Sequence, residues 1–126
     1  MITTIEAITT DLTTLSDDDL ISFYTDIWAW HRILDESITA LFNAEQASNI
    51  GLGIPTQVME EQKRAIGDRQ RACEVEAERR HPELIEEGKP EALWQMIDAA
   101  PREAQLRFWT FGMDKSVESF DEPWLA

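Results

Sequence analysis

The sequence lacks most of the features that are typical of secreted and membrane proteins. It has one cysteine, Cys73, so no disulfide can form within the chain. Residues 1–11 lack the basic and apolar regions of a signal peptide, and no apolar run approaches the roughly 18 residues that span a bilayer. We therefore expect a cytoplasmic protein that neither crosses nor binds a membrane.

Basic residues are also scarce. The chain carries 11 Lys and Arg against 25 Asp and Glu, which gives a formal net charge of -14. The acidic excess lies in residues 1–59 and 81–126, whereas residues 60–80 are balanced. Binding to phosphates needs a basic surface, so this charge argues against direct nucleic-acid binding and favours a basic protein partner.

At 126 residues, the chain is long enough for one domain with its own core. Large side chains recur at four-three spacing from Ser16 to about Ala47, which predicts one face of a long helix. Ser16 can cap this helix, with Asp19 as its partner three residues later. The residues on the face are Leu20, Tyr24, Ile27, His31, Leu34, Ile38 and Leu41.

A second long helix is predicted over about residues 56–80, where adjacent apolar pairs recur every seven residues. The short Gly- and Pro-containing segment between the two helices favours an antiparallel hairpin of residues 16–47 and 56–80. Arg69 lies beside the apolar seam of this second helix and needs a partner there. Asp35 or Glu36 of the first helix is the expected partner.

The remaining segments complete an all-α fold. Two shorter helices are predicted between about residues 90 and 112, and they contribute Trp94, Phe108 and other aromatic side chains. No aromatic residue occurs from Asn43 to Leu93, so the core should join the first long helix to the C-terminal third. We interpret residues 1–126 as a single helical domain, with residues 1–15 and 114–126 as candidate peripheral arms.

No motif in the sequence predicts a catalytic chemistry, and we expect no metal or other cofactor. The pairs His31 with Asp35 and Glu78 with His81 have the spacing of helical metal ligands. In an antiparallel hairpin, however, the two pairs lie at different levels and do not converge. Cys73 falls on the apolar seam, where a thiol is usually inert.

The favoured function is a small acidic protein-binding module that is not an enzyme. It would act as an inhibitor or adaptor that occupies a basic, nucleic-acid-binding site on a partner, as an anti-defence protein of a phage or other mobile element does. Two alternatives are a self-associating assembly chaperone or structural component, which would form a homo-oligomer through the aromatic C-terminal third, and a metal-dependent helical-bundle enzyme. The candidate partner-binding residues are Asp11, Asp17, Asp18, Asp19, Asp26, Trp30, Glu83, Glu86, Glu87 and Trp124.

Overall fold

The structure is a computed structural model that describes residues 1–49, 51 and 53–120, with the backbone alone for residues 53–55. Its elements are α1 (Thr4–Thr9), α2 (Asp17–Ser48), α3 (Gly53–Arg80), α4 (Ala92–Asp98) and α5 (Arg102–Arg107), which continues into a π-helical turn (Phe108–Gly112). Three short 3-10 turns lie at Leu12–Thr14, Pro82–Leu84 and Val117–Ser119. The described part of the chain contains no strand, which confirms the all-α prediction.

Residues with known preferences for helix ends mark the bounds of the two long helices. Ser16 Oγ accepts a hydrogen bond from the Asp19 amide at 3.1 Å, so the predicted cap is present. Helix α2 ends at Ser48, and the next residue, Asn49, adopts the left-handed conformation with φ 55°. Helix α3 starts at Gly53, three residues before the predicted position. Pro55 is tolerated in its first turn, because an amide at that position would have no acceptor inside the helix.

Polar contacts between α2 and α3 show how the two helices run. They join Asp17 to Arg80, Tyr24 to Glu74, and Asp35 to Lys63. The residue number in α3 falls as the residue number in α2 rises, so the described parts of the two helices are antiparallel.

The core contains an aromatic cluster that ties α2 to the C-terminal third. The Tyr24 ring stacks on Phe108 with centroids 5.7 Å apart. Trp28 and Trp94 meet the same Phe108 ring edge-on at 6.0 and 5.1 Å. Aromatic pairs of this kind contribute stability beyond that from the surface area that they bury. These contacts confirm the predicted link between the first helix and the C-terminal third.

Residues 1–15 are packed into the domain rather than forming a peripheral arm. Ala7 and Leu12 are buried in the core. Thr3 and Glu6 form a complete capping box at the start of α1. The N-terminal segment therefore contributes to the stability of the fold.

Arg69 holds this segment in place. Its Nε donates to the carbonyl oxygen of Ala7 at 2.8 Å, and its Nη2 donates to the carbonyl of Thr10. The prediction that Arg69 pairs with Asp35 or Glu36 is therefore wrong. The carbonyl oxygens at the end of α1 receive no hydrogen bond from within the helix, so they attract the Arg69 guanidinium instead.

The far half of the hairpin receives no cover from the rest of the described chain. In α2 the last buried residue is Leu34, and in the described part of α3 the first is Ile66. Residues 35–49 and 56–65, here called the hairpin arm, contain half-buried and exposed residues only. The arm projects beyond the core as a pair of helices.

Candidate acidic cleft

An acidic cleft lies where α2 begins and α3 ends. Its volume is about 370 Å³. Carboxylates come from the first turn of α2 and from the turn after α3, and the apolar surface comes from α2, that turn and the segment from α4 to α5. The lining residues are Asp17, Asp18, Ile21, His81, Glu83, Leu84, Gln95, Met96, Ala99, Ala100 and Pro101.

Local structure fixes the carboxylates at this end of α2. The Ser16 cap places Asp17, Asp18 and Asp19 in the first turn, next to the positive end of the helix dipole. Arg80 Nη1 contacts Asp17 Oδ1 at 3.2 Å, and Arg80 Nη2 donates to the Leu12 carbonyl at 2.8 Å. Asp17 is therefore paired with Arg80 inside the domain, whereas the side chain of Asp18 is exposed in the cleft.

His81 joins the two acidic sides of the cleft. Its Nε2 lies 2.8 Å from Asp17 Oδ2, and its Nδ1 lies 3.1 Å from Glu83 Oε1. The hydrogen bond with Asp17 raises the pKa of His81, and Glu83 adds to this effect against partial burial. Burial opposes ionisation of Asp17, but the hydrogen bonds from His81 and Arg80 outweigh it and lower the pKa of Asp17.

Two further depressions adjoin the same stretch of α2. One, of about 110 Å³, is lined by Asp18, Ile21, Ser22, Thr25, Ala104 and Arg107. The other, of about 260 Å³, is lined by Ile2, Glu6, Thr10, Leu15, Asp19, Ser22, Phe23 and Asp26. The smaller depression shares Asp18 and Ile21 with the main cleft and Ser22 with the larger depression. The exposed carboxylates of the first turn of α2 therefore lie along one grooved surface.

The predicted partner-binding residues fall into several places. Asp17, Asp18 and Glu83 meet in the cleft, and Asp19 lines the adjoining depression. Asp11 belongs to a different depression, next to Arg69 and Glu76. Glu86 and Glu87 are exposed in the turn before α4, where Glu86 contacts Lys89 at 3.2 Å, and Trp124 lies outside the described residues.

Two of the predicted binding residues, Asp26 and Trp30, form hydrogen bonds inside the domain instead. Asp26 is 5% exposed, accepts a hydrogen bond from the Ile2 amide at 3.2 Å, and pairs with Arg107 Nη2 at 2.5 Å. Trp30 is half-buried and donates from Nε1 to the Ile2 carbonyl at 2.7 Å. Asp26 was wrongly assigned to the acidic surface, because the N-terminal segment and α5 cover it.

The candidate metal ligands lie on separate parts of the hairpin. His31 lines a shallow surface with Lys63, and partial burial, followed by the adjacent Lys63 ammonium, lowers the pKa of His31. His81 lies beside Asp17, 14 residues away along α2, which corresponds to about 21 Å of helix. Within the described ranges, no three His, Cys, Asp or Glu side chains form a group that could hold a metal ion.

A second carboxylate group surrounds Arg71. The distances from Arg71 Nη1 to Oε1 of these carboxylates are 3.4 Å for Glu74, 4.0 Å for Glu78 and 3.9 Å for Glu91. Burial and the nearby Glu74 raise the pKa of Glu91. The i, i+4 spacing of Glu74 and Glu78 could have predicted their shared face, but Glu91 joins them only through tertiary packing.

Aromatic residues of the C-terminal third take part mainly in internal contacts. Phe108 is buried, Trp94 packs against it, and Trp109 Nε1 donates to the Ser116 carbonyl at 3.1 Å. This part of the described surface therefore offers few free aromatic side chains for association with a partner.

In comparisons with known proteins, the chain matches no family model, no curated protein and no solved structure. None of the described helices is both long enough and apolar enough to cross a membrane. Inferences about function therefore depend on the geometry and charge of the surface.

Proposed function

We propose that this protein is a binding module, not an enzyme, and that its acidic cleft receives a basic segment of a partner protein. The observation that carries the proposal is the meeting of Asp18 and Glu83, from two separate elements, around an apolar floor that includes Met96. Carboxylates next to apolar surface suit a lysine or arginine side chain, since its charged end can pair while its methylene groups pack.

The charge of the whole chain supports the same class of partner. A net charge of -14 attracts a basic surface over several ångströms and raises the rate of encounter. Once the partner is bound, complementary charges fix its orientation more than they add affinity. We therefore expect fast association that slows as salt screens the field.

The partner class that fits best is a nucleic-acid-binding protein in the cytoplasm. Such proteins carry basic grooves that recognise regularly spaced phosphates, and an acidic surface can occupy the same groove. The protein would then act as an inhibitor or adaptor, in the way that anti-defence proteins of mobile elements block host nucleic-acid enzymes.

The experiment captures partners from the lysate of the native host at low and high salt. The matched variants are Asp18→Lys with Glu83→Lys, and Asp68→Lys with Glu118→Lys as a control. Both pairs change the net charge equally, all four side chains are exposed, and the control residues do not line the cleft. Circular dichroism confirms that each variant keeps its helical content.

We expect the wild type and the control to retain a basic nucleic-acid-binding protein at low salt and to release it at high salt. The cleft variant should fail to retain it. The purified partner should also lose its nucleic acid when wild-type protein is added in a mobility-shift assay. Equal capture by the cleft and control variants, or capture that salt does not weaken, would contradict the proposal.

A further inference from the structure

His81 lies between two carboxylates of the acidic cleft. Its Nε2 is 2.8 Å from Asp17 Oδ2, and its Nδ1 is 3.1 Å from Glu83 Oε1. An ionised carboxylate accepts hydrogen bonds but donates none, so each ring nitrogen needs a proton of its own to make its contact. The arrangement with both contacts is therefore that of the charged imidazolium, because a neutral imidazole has a single N–H.

The two carboxylates are not held equally. Arg80 Nη1 contacts Asp17 Oδ1 at 3.2 Å, so Asp17 keeps a cationic partner whatever the charge of His81. The Glu83 side chain is 65% exposed, and in the described part of the chain its ion pair is with His81 alone. When His81 loses a proton, its remaining N–H therefore stays with Asp17, which is the shorter contact, and Glu83 loses its partner.

His81 also determines how the charge of the cleft varies near neutral pH. The other charged groups around it are Asp17 and Asp18 of α2, Arg80 of α3 and Glu83 of the following turn. Among the described lining residues, the segment from α4 to α5 contributes no charged or titratable side chain. An imidazole is the side chain that ordinarily changes charge between about pH 5 and 8, and the hydrogen bond with Asp17 raises the pKa of His81 from the ordinary 6.5.

We propose that His81 makes binding in the cleft depend on pH: its proton keeps Glu83 occupied, and loss of that proton frees Glu83 for a cation of the partner. This inference rests on the proposed function and adds the regulation of the same site. The imidazolium and a lysine or arginine of the partner compete for one carboxylate, so binding of the partner expels the proton. By reciprocity, the partner binds more tightly as the pH rises, and the pKa of His81 falls when the partner is bound.

The expected size follows from the charge that is removed. A unit charge about 4 Å away in water-like surroundings changes an equilibrium constant by about fivefold. We therefore expect the affinity of a basic partner to rise by about fivefold as His81 passes from fully charged to neutral.

Calorimetric titration with a hexaarginine peptide, blocked at both ends, tests the inference at about pH 6 and about pH 8 in low salt. Guanidinium groups stay charged throughout this range, so a change in affinity comes from the protein. His81→Gln removes the titrating group from the cleft. The matched control is His31→Gln, because it removes the other histidine of the chain, which lies outside the cleft. Circular dichroism checks that both variants keep their helical content.

We expect wild type and His31→Gln to bind the peptide about fivefold more tightly at the higher pH, and His81→Gln to bind it equally at both. In wild type, proton NMR should show that the pKa of His81 falls when the peptide is added, a measurement that needs no variant. A wild-type affinity that does not change with pH would overturn the inference. A pH dependence that His81→Gln keeps, or that His31→Gln abolishes, would overturn it equally.

The charge-reversal variants that test the proposed function separate its failure from the failure of this inference. They are titrated with the same peptide at the higher pH. Equal binding by the cleft variant and its control would place the peptide elsewhere, which contradicts the proposed function and the inference together. Weaker binding by the cleft variant, combined with a wild-type affinity that is the same at both pH values, would contradict the inference alone.

Discussion

Replacing Asp26 with alanine should be among the most destabilising single changes at a polar residue of α2. The Asp26 side chain is 7% exposed and receives one hydrogen bond from the Ile2 amide and one from Arg107. It therefore connects α2 to both the N-terminal segment and α5. Alanine removes both acceptors and leaves the Arg107 guanidinium without its anion.

The size of the effect follows from how much each partner is buried. Breaking a fully buried ion pair costs about 3 to 5 kcal/mol. The Arg107 side chain is 39% exposed and can regain water, so we expect a loss of about 2 kcal/mol. With an unfolding entropy of about 2.1 cal/mol/K per residue, a chain of 126 residues has about 0.26 kcal/mol/K, and its melting temperature should fall by about 8 °C.

Urea denaturation of a double-mutant cycle measures the interaction directly. The cycle combines Asp26→Ala with Arg107→Met, which keeps an apolar stem in the place of arginine. The two changes should be non-additive by at least about 1 kcal/mol, because each one alone already breaks the pair.

The exposed pair of Asp35 and Lys63 provides a control. Asp35 accepts from Lys63 Nζ at 2.6 Å, but its side chain is 57% exposed, so Asp35→Ala should leave the unfolding transition nearly unchanged. If Asp26→Ala were as mild as Asp35→Ala, or if the cycle were additive within about 0.3 kcal/mol, the anchoring role of Asp26 would be refuted.

Three other predictions concern titration and reactivity. The hydrogen bond from Arg79 lowers the pKa of Glu76 to about 2. Glu76→Gln should therefore destabilise the protein at neutral pH, and the difference in free energy of unfolding from wild type should shrink as the pH falls from about 4.5 towards 2. Urea denaturation at a series of acidic pH values measures this difference. His81 has a raised pKa, so wild type should exceed His81→Gln in stability most clearly below about pH 6.5, and the difference should fade as the pH rises through the pKa of the folded state; a constant difference would contradict this. Cys73 is buried with a pKa raised to about 12, so a water-soluble disulfide reagent should modify it only as fast as the protein unfolds.

Local signals in the sequence were sufficient to predict the two long helices. The Ser16 cap and the four-three spacing placed α2 within one residue of its observed ends, because both signals act within a few turns of the chain. The Thr3 and Glu6 capping box is an equally local signal, and it could have predicted α1 as a defined helix. The π-helical turn had no such signal.

Long-range contacts of polar side chains were harder to predict. Asp26 is the next acidic residue after Asp17, Asp18 and Asp19 in the sequence, but its burial depends on Ile2 and Arg107, which are 24 and 81 residues away. Arg69 likewise binds carbonyls of α1 that no spacing rule connects to it. Of the predicted acidic residues, Asp17, Asp18 and Glu83 do come together, because the antiparallel hairpin brings the start of α2 to the end of α3.

The central claim, that the acidic cleft binds a basic partner, is tested most directly by isothermal titration of the captured partner with wild type and with the Asp18→Lys, Glu83→Lys variant at 50 and 300 mM salt. Wild-type affinity should fall by roughly tenfold or more between the two salt concentrations, and the variant should bind at least roughly tenfold more weakly than wild type at 50 mM. The two proteins should differ much less at 300 mM. Equal affinities at 50 mM, or an affinity of wild type that salt leaves unchanged, would contradict the claim.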